Sequence, residues 1–177
     1  MTQHFRSRYV MIFGAVVIVV AVVVGNWRAT SPAAGKTIAL NGDHLRVPGD
    51  WNSESFVNAS GMIVLRVGSF AFPHASNDDV GQIAQAAMGR NDVLINVIDV
   101  TATDPGDQNA YYRPVTRALT IDAAQAVGQE GYSSPAAVIR GARINGHNFY
   151  VSVAFGSAPP STVQVAAANE VLQTLGT

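Results

Sequence analysis

The sequence predicts an α+β protein: a mostly antiparallel sheet with two packed helices, preceded by one transmembrane helix. Three observations predict it. A run without charged side chains extends from residue 9 to 25, two Asn–Gly dipeptides separate extended apolar segments, and two later segments carry helix signals without regular βαβ alternation. The resulting division is a basic leader at 1–8, a transmembrane helix at 9–27, a short tether at 28–35 and a single domain at 36–177.

The apolar segment 9–27 has the features of a membrane anchor. As a helix it would be about 28 Å long, which matches a hydrocarbon core of roughly 30 Å. Tyr9 and Trp27 stand at its two ends, where interfacial aromatic residues are favoured. The alternative is a cleaved signal peptide, with cleavage after Gly25 or Ala33. The basic leader favours a cytoplasmic N-terminus and an extracytoplasmic domain at the cell membrane, so the segment's partner would be membrane lipid.

Charge and composition exclude several classes of protein. Residues 1–35 carry three arginines and no acid, whereas residues 36–177 carry eight basic against twelve acidic side chains, a net charge of −4. A mildly acidic domain without a basic cluster argues against nucleic acid as a partner. The chain has no cysteine, which excludes disulfides and thiolate chemistry. We expect no cofactor and no metal.

The first half of the domain predicts three strands and a helix. Two short strands flank the Asn41–Gly42 turn, and Trp51, after Pro48–Gly49, is expected in the core. A longer strand follows at 62–72, with Gly68 as a bulge. Residues 76–89 then change to helical spacing, with Ser76 as the cap and with Val80, Ile83 and Ala87 facing inward.

The second half predicts a central strand, a loop, a hairpin and a final helix. Residues 91–100 are apolar on both faces, and 101–114 form a long polar loop before a weaker strand at 115–121. Asn145–Gly146 marks the strongest hairpin signal. In the last helix Ser161 is the cap and Gly176 the stop. Its predicted inward stripe is Val163, Ala167, Val171, Leu172 and Leu175.

Three segments carry a resemblance to a known family: VPGDW at 47–51, VAFG at 153–156 and NEVLQTL at 169–175. They resemble the PsbP/Mog1-like α+β sandwich, and more narrowly a family of membrane-anchored or secreted actinobacterial proteins. The resemblance implies a fold and a location in the cell envelope. It implies no reaction and no catalytic residue.

The long loop holds the predicted binding residues: Asp104, Asp107, Tyr111, Tyr112 and Arg113. Aromatic side chains beside arginine are enriched in protein interfaces. The two aspartates resemble a calcium loop only superficially, since the D-x-D-x-D-G ladder is absent. The aromatic residues could equally close the loop over the core.

No catalytic constellation is found in the sequence. His44, His74 and His147 have no metal-ligand spacing, and GYSSP at 131–135 lacks a nucleophile elbow. Asp99, inside an apolar strand, could face a cavity that raises its pKa, although pairing with Arg117 or Arg140 is favoured. We therefore expect a non-catalytic envelope accessory that binds another envelope protein. The alternative is a small-ligand or lipid carrier with a cavity between the sheet and the final helix.

Overall fold

The computed structural model describes residues 35–75, 78–105 and 111–177. In chain order the elements are β1 (Lys36–Leu40), β2 (Asp43–Val47), β3 (Asn52–Val57), β4 (Ile63–Gly68), α1 (Gln82–Ala86), β5 (Val93–Asp99), β6 (Arg113–Pro114), a 3-10 turn (Ala123–Gln125), β7 (Ala136–Ile144), β8 (His147–Phe155) and α2 (Thr162–Leu172). The predicted α+β class is confirmed in these coarse terms. The predicted anchor at 9–27 lies outside the described residues. Within them, no helix has both the length and the apolar character needed to cross a bilayer.

Six strands form the main sheet in the order β3-β4-β5-β8-β7-β6. Neighbours are antiparallel except β6 and β7, which are parallel. Every residue of β5 is buried, as the continuous apolar run predicted for a central strand. The strands β1 and β2 form a separate two-stranded sheet.

The two faces of the main sheet are covered differently. We call the inner face the one that packs against α2 and the β1–β2 hairpin. It holds the main core, whose strand residues include Leu65, Val67, Ile95, Val97, Val151 and Val153. The outer face holds the alternate residues of the same strands. It is covered by the segment around α1 and by the chain near Tyr111 and Tyr112.

Both predicted Asn–Gly hairpin turns are confirmed. Asn41 and Asn145 have φ of 48° and 49°, and the glycines that follow have φ of 92° and 87°. Two consecutive positive φ values define the type I′ turn, which asparagine and glycine adopt at low cost. Trp51 is buried after the first hairpin, as predicted.

The cap of α2 is confirmed, but part of its predicted stripe is wrong. The Ser161 hydroxyl accepts the Gln164 N–H, and the Gln164 side chain accepts the Ser161 N–H, which forms a capping box. Val163, predicted to face inward, is 75% exposed, whereas Gln164 is 3% exposed. The Gln164 amide donates to the Arg90 and Asp92 carbonyl oxygens at 3.1 Å each. The first turn of the helix therefore buries a donor to two carbonyl groups in place of an apolar side chain.

The predicted helix at 76–89 is much shorter in the structure. Gly81 has φ of 75°, a left-handed conformation that delays the start of α1 to Gln82. The Asp78 carboxylate accepts the N–H groups of Gln82 and Ile83 at 2.7 Å each, while Ser76 lies outside the described residues. Ile83 is 48% exposed and Ala87 is also exposed, so the predicted inward stripe is wrong.

Three smaller sequence predictions fail. The strand predicted at 62–72 ends at Gly68, which pairs regularly with Asn52 and Leu94 and forms no bulge. A Cβ at Gly68 would lie 3.1 Å from both Leu94 and Phe72, so the position serves close packing. The strand predicted at 115–121 is replaced by the two-residue β6 at 113–114.

Candidate functional site

A row of polar side chains crosses the outer face of the sheet. Glu54, Arg66, Asn96 and Ser152 occupy the same register on the neighbouring strands β3, β4, β5 and β8. Arg66, Asn96 and Ser152 are fully buried. Because buried polar groups need hydrogen-bond partners, the role of these side chains depends on the groups to which they bond.

Arg66 is the centre of this row. Its Nε donates to Asn96 Oδ1 at 2.8 Å, one terminal nitrogen donates to Glu54 Oε1 at 2.5 Å, and the other donates to the Asp78 carbonyl oxygen. The guanidinium also lies 5.3 Å from the centroid of the Phe56 ring. All these partners hold one side chain in place, so Arg66 is not available to a ligand.

The same row fixes the segment that precedes α1. Asn96 donates to the Val80 carbonyl oxygen at 3.1 Å and to the Ser152 hydroxyl at 3.3 Å. Gly81 lies directly over it, since a Cβ there would come within 3.2 Å of Arg66 and Asn96. The polar row is therefore a structural clamp between the sheet and α1.

Beside the clamp, on the same face, four tyrosines form what we call the tyrosine cluster: Tyr111, Tyr112, Tyr132 and Tyr150. The rings of Tyr111 and Tyr112 meet edge to face with centroids 5.1 Å apart. The hydroxyl groups of Tyr132 and Tyr150 lie 3.1 Å apart. Tyr112 and Tyr150 also pack on the small apolar cluster of Val64, Ile98 and Val100.

Gly141 on β7 makes room for the cluster. A Cβ at this position would collide with the carbonyl oxygen and the ring of Tyr111. Gly141 is the register partner of Tyr150, so the glycine stands beneath Tyr111 and next to a second tyrosine of the cluster. The loop predicted at 101–114 thus ends with its aromatic residues against the sheet.

Burial raises the pKa of three tyrosines of the cluster. Burial, and then the hydrogen bond with Tyr132, raises the pKa of Tyr150 far above its usual range. Burial and the neighbouring phenols raise the pKa of Tyr111, while burial and the Asp104 charge raise that of Tyr112. The raised pKa values favour the uncharged phenol form of Tyr111, Tyr112 and Tyr150.

The structure brings together four of the five predicted binding residues. Tyr111 and Tyr112 are in contact, Arg113 follows them in β6 with an exposed side chain, and Asp104 lies near Tyr112. The Asp104 carbonyl oxygen accepts the Asn148 side-chain amide at 2.7 Å. Asp107 lies outside the described residues.

Sequence reasoning missed Tyr132 and Tyr150. Tyr150 carried a usable signal, because on β8 it alternates with the core residues Phe149 and Val151 and so had to face the other side of the sheet. Tyr132 carried none, since it lies in an irregular segment that only the tertiary fold places beside Tyr150.

Asp99 lies in the predicted apolar strand, but its partners differ from those predicted. It is buried on β5, where it accepts the Asn41 amide at 2.6 Å and the Thr101 N–H at 2.9 Å, with His147 Nδ1 at 3.2 Å. Among the described residues, Asn41, Thr101 and His147 contact Asp99 in place of the predicted Arg117 or Arg140. Burial raises the pKa of Asp99, but the hydrogen bonds from Thr101 and Asn41 outweigh it. The pKa therefore lies below its usual value, in contrast to the raised pKa of the cavity alternative.

The two hairpin turns are each tied to a buried carboxylate. Asn41 donates to Asp99, and Asn145 donates to Asp43 at 2.6 Å. Each turn asparagine thus supplies a backbone conformation and a long-range hydrogen bond. The Asn–Gly dipeptide predicts the backbone conformation of the turn but not the long-range hydrogen bond.

The histidines do not form a shared site among the described residues. His74 contacts Glu54, His147 contacts Asp99, and His44 contributes its carbonyl oxygen to Gly176 N–H. Across 35–75, 78–105 and 111–177, no group of three or more His, Asp or Glu side chains is placed to hold a metal ion.

The described surface also has three open grooves. One of about 310 Å³ lies beside Arg117 and Asn145, one of about 420 Å³ lies beside His44 and Arg46, and one of about 930 Å³ lies beside the prolines that precede α2. All three lie at the margins of the fold. The space between the sheet and α2 is occupied by the side chains of the main core.

No protein-family model, curated protein or solved structure matches this chain. The resemblance to PsbP/Mog1-like domains therefore rests on the three quoted sequence segments alone.

Proposed function

We propose that the protein is a non-catalytic interaction module of the cell envelope, anchored by residues 9–27 and binding another envelope protein through the tyrosine cluster. The observation that carries the proposal is the Tyr111 ring. It is 45% exposed although it is backed by Tyr112 and seated over Gly141. An exposed aromatic ring on a rigid support is typical of the anchor residues of protein interfaces.

The surroundings of the cluster also support protein binding. Tyrosine offers a large contact area and one hydroxyl group at low cost in side-chain entropy. The exposed Arg113 next to the cluster adds a guanidinium donor, and arginine is enriched in binding hot spots together with tyrosine. The packing of the main core between the sheet and α2 favours this function over that of a carrier.

Site-specific photo-crosslinking in native membranes tests the proposal. A photoreactive phenylalanine analogue at position 111 of the full-length chain should give crosslinked products, because the Tyr111 ring is expected to lie against the partner. The matched position is Val163, which is 75% exposed but stands on α2, on the inner side of the sheet. Crosslinks to the same proteins from both positions would contradict a site at the cluster.

A binding measurement then tests whether the Tyr111 side chain contributes to the affinity for the partner. With the crosslinked partner purified, Tyr111→Ala should weaken binding at least tenfold, which corresponds to about 1.4 kcal/mol. Val163→Ala should leave binding unchanged. Equal affinities for the wild type and Tyr111→Ala would remove the cluster from the interface.

A further inference from the structure

The two edges of the main sheet are very different. The β6 edge has two residues, and one of them is Pro114, which has no N–H to offer to a further strand. The β3 edge has six residues, Asn52–Val57, and within the described residues β3 pairs only with β4. Natural sheets protect such an edge with lysine, proline or a bulge. The NSESFV sequence of β3 has no lysine or proline, and its pairing with β4 is regular.

The free hydrogen-bonding groups of β3 can be assigned residue by residue. Asn58 N–H donates to the Met62 carbonyl oxygen at 2.9 Å, which continues the β3–β4 ladder by one residue. In an antiparallel pair alternate residues bond to the same neighbour. Asn52, Glu54 and Phe56 therefore bond towards β4. Ser53, Ser55 and Val57 direct their N–H and C=O groups to the open edge.

The side chains at this edge leave it accessible. Ser55 is exposed, and Val57 is 62% exposed. The one charged residue of the strand, Glu54, has a side chain only 10% exposed and is already paired with Arg66. No charge on β3 is thus left unpaired to repel an approaching strand.

We propose that β3 pairs with β3 of a second copy of this chain, antiparallel, about a twofold axis at Ser55. The register follows from the open groups: Ser55 lies opposite the partner's Ser55, and Ser53 lies opposite the partner's Val57. These hydrogen-bonded pairs would form about six backbone hydrogen bonds. The result is one continuous sheet built from two six-stranded sheets.

The same register satisfies the side chains on both faces. On the outer face Glu54 lies opposite the partner's Phe56, so the two carboxylates are not juxtaposed. On the inner face the exposed Val57 is covered by the partner's Ser53. A symmetric strand pair needs one patch that is complementary to itself, and β3 meets that condition.

Cysteine crosslinking tests the register directly, because the chain has no cysteine of its own. In the proposed dimer the two Ser55 Cα atoms are about 5.5 Å apart, within the range that a disulfide spans. Full-length Ser55→Cys in membranes, treated with a mild oxidant, should form a disulfide-linked dimer. Ser53→Cys is the matched control, since the two copies of position 53 would be about 14 Å apart at roughly 3.4 Å per residue.

A mixture of Ser53→Cys and Val57→Cys chains should form the mixed dimer, since the register places these positions opposite each other. Absence of a Ser55→Cys dimer, or equal dimer formation by Ser53→Cys alone, would overturn the proposal.

A second variant tests the backbone groups. Ser55→Pro removes an N–H that points to the open edge and is not needed by β4, so the domain should stay folded by circular dichroism. Chemical crosslinking of the full-length chain should then show loss of the dimer. A folded Ser55→Pro chain that still dimerises would overturn the role of this edge. The tyrosine cluster and β3 are separate surfaces, so Ser55→Pro should keep the partner crosslinks at position 111.

Discussion

Replacing the fully buried Arg66 by methionine should lower the stability of the domain more than any surface substitution. Methionine keeps most of the apolar stem and removes the guanidinium. The change takes one donor each from Glu54, Asn96 and the Asp78 carbonyl oxygen. It also leaves the Glu54 carboxylate, with a side chain only 10% exposed, without its arginine partner.

The expected magnitude follows from the loss of a buried ion pair. Removing one member of such a pair costs about 3–5 kcal/mol, because the other charge stays buried without compensation. At about 2–4 °C per kcal/mol for a domain of this size, the melting temperature should fall by roughly 6–20 °C. Urea unfolding followed by circular dichroism measures the change in free energy. The control is Arg46→Met at an exposed arginine of β2, expected to change stability by about 0.5 kcal/mol or less.

A double-mutant cycle identifies the cause. Glu54→Gln should be costly in the wild type and nearly neutral in the Arg66→Met background, since there it removes a mostly buried carboxylate that has lost its arginine and keeps only the contact with His74. The expected coupling is about 2 kcal/mol. If Arg66→Met resembled Arg46→Met, or if the two changes were additive, the polar row would not be the clamp described above.

Three further outcomes are expected. Gly141→Ala should destabilise the domain by about 1–3 kcal/mol by displacing Tyr111. The control Gly128→Ala should not destabilise it, because the new Cβ would meet nothing nearer than 3.9 Å. Equal unfolding midpoints of these two variants in urea would contradict this reasoning. Asp99→Asn should cost about 1.5–3 kcal/mol at pH 7. Because the folded pKa of Asp99 lies below its usual 3.8, this stabilisation is complete above about pH 4 and is lost as the pH falls through the folded pKa. The difference between the wild type and Asp99→Asn in urea titrations should therefore shrink on acidification, and growth of the difference would refute the assignment. Gln164→Leu should cost about 1–3 kcal/mol by removing the side-chain donor to the Arg90 and Asp92 carbonyl oxygens, of which Asp92 keeps the Gly156 N–H; an unfolding midpoint equal to that of the wild type would show that water replaces the lost donor.

The sequence was most informative where the chemistry is local. The two type I′ turns follow from Asn–Gly, because these residues adopt positive φ readily. The central position of β5 follows from a run that is apolar on both faces. The Ser161 cap likewise depends on a residue only three positions away, Gln164.

The sequence was least informative where a polar side chain serves a distant part of the fold. Gln164 interrupts the helix pattern because its side chain donates to two carbonyl groups in another segment. Arg66 was not singled out from the sequence, and the Asp78 carbonyl group to which it donates comes from a segment that periodicity predicted as helix. In both cases a propensity-based pattern was overridden by the demand of buried polar groups for partners.

In the candidate site, too, the sequence predicts local features better than contacts between distant segments. Tyr111 and Tyr112 could be chosen from sequence because two aromatic residues beside an arginine stand out in a polar loop. Tyr132 could not, since its contact with Tyr150 arises from the folding of a loop onto the sheet. The cluster is thus a product of tertiary packing, and the place of Tyr132 in it is visible only in the folded structure.

The β1–β2 hairpin determines how the domain would respond to mechanical force. Tension transmitted through the proposed anchor would reach the Lys36–Val47 pair first, because β1 pairs only with β2 among the described residues. The hairpin would then open one pair at a time from that end and uncover Leu40 and Leu45. Lys36, the only lysine of the chain, resists this opening by donating to the Trp51 carbonyl oxygen at 2.5 Å. The Lys36 hydrogen bond therefore lies at the first strand pair that such tension would load.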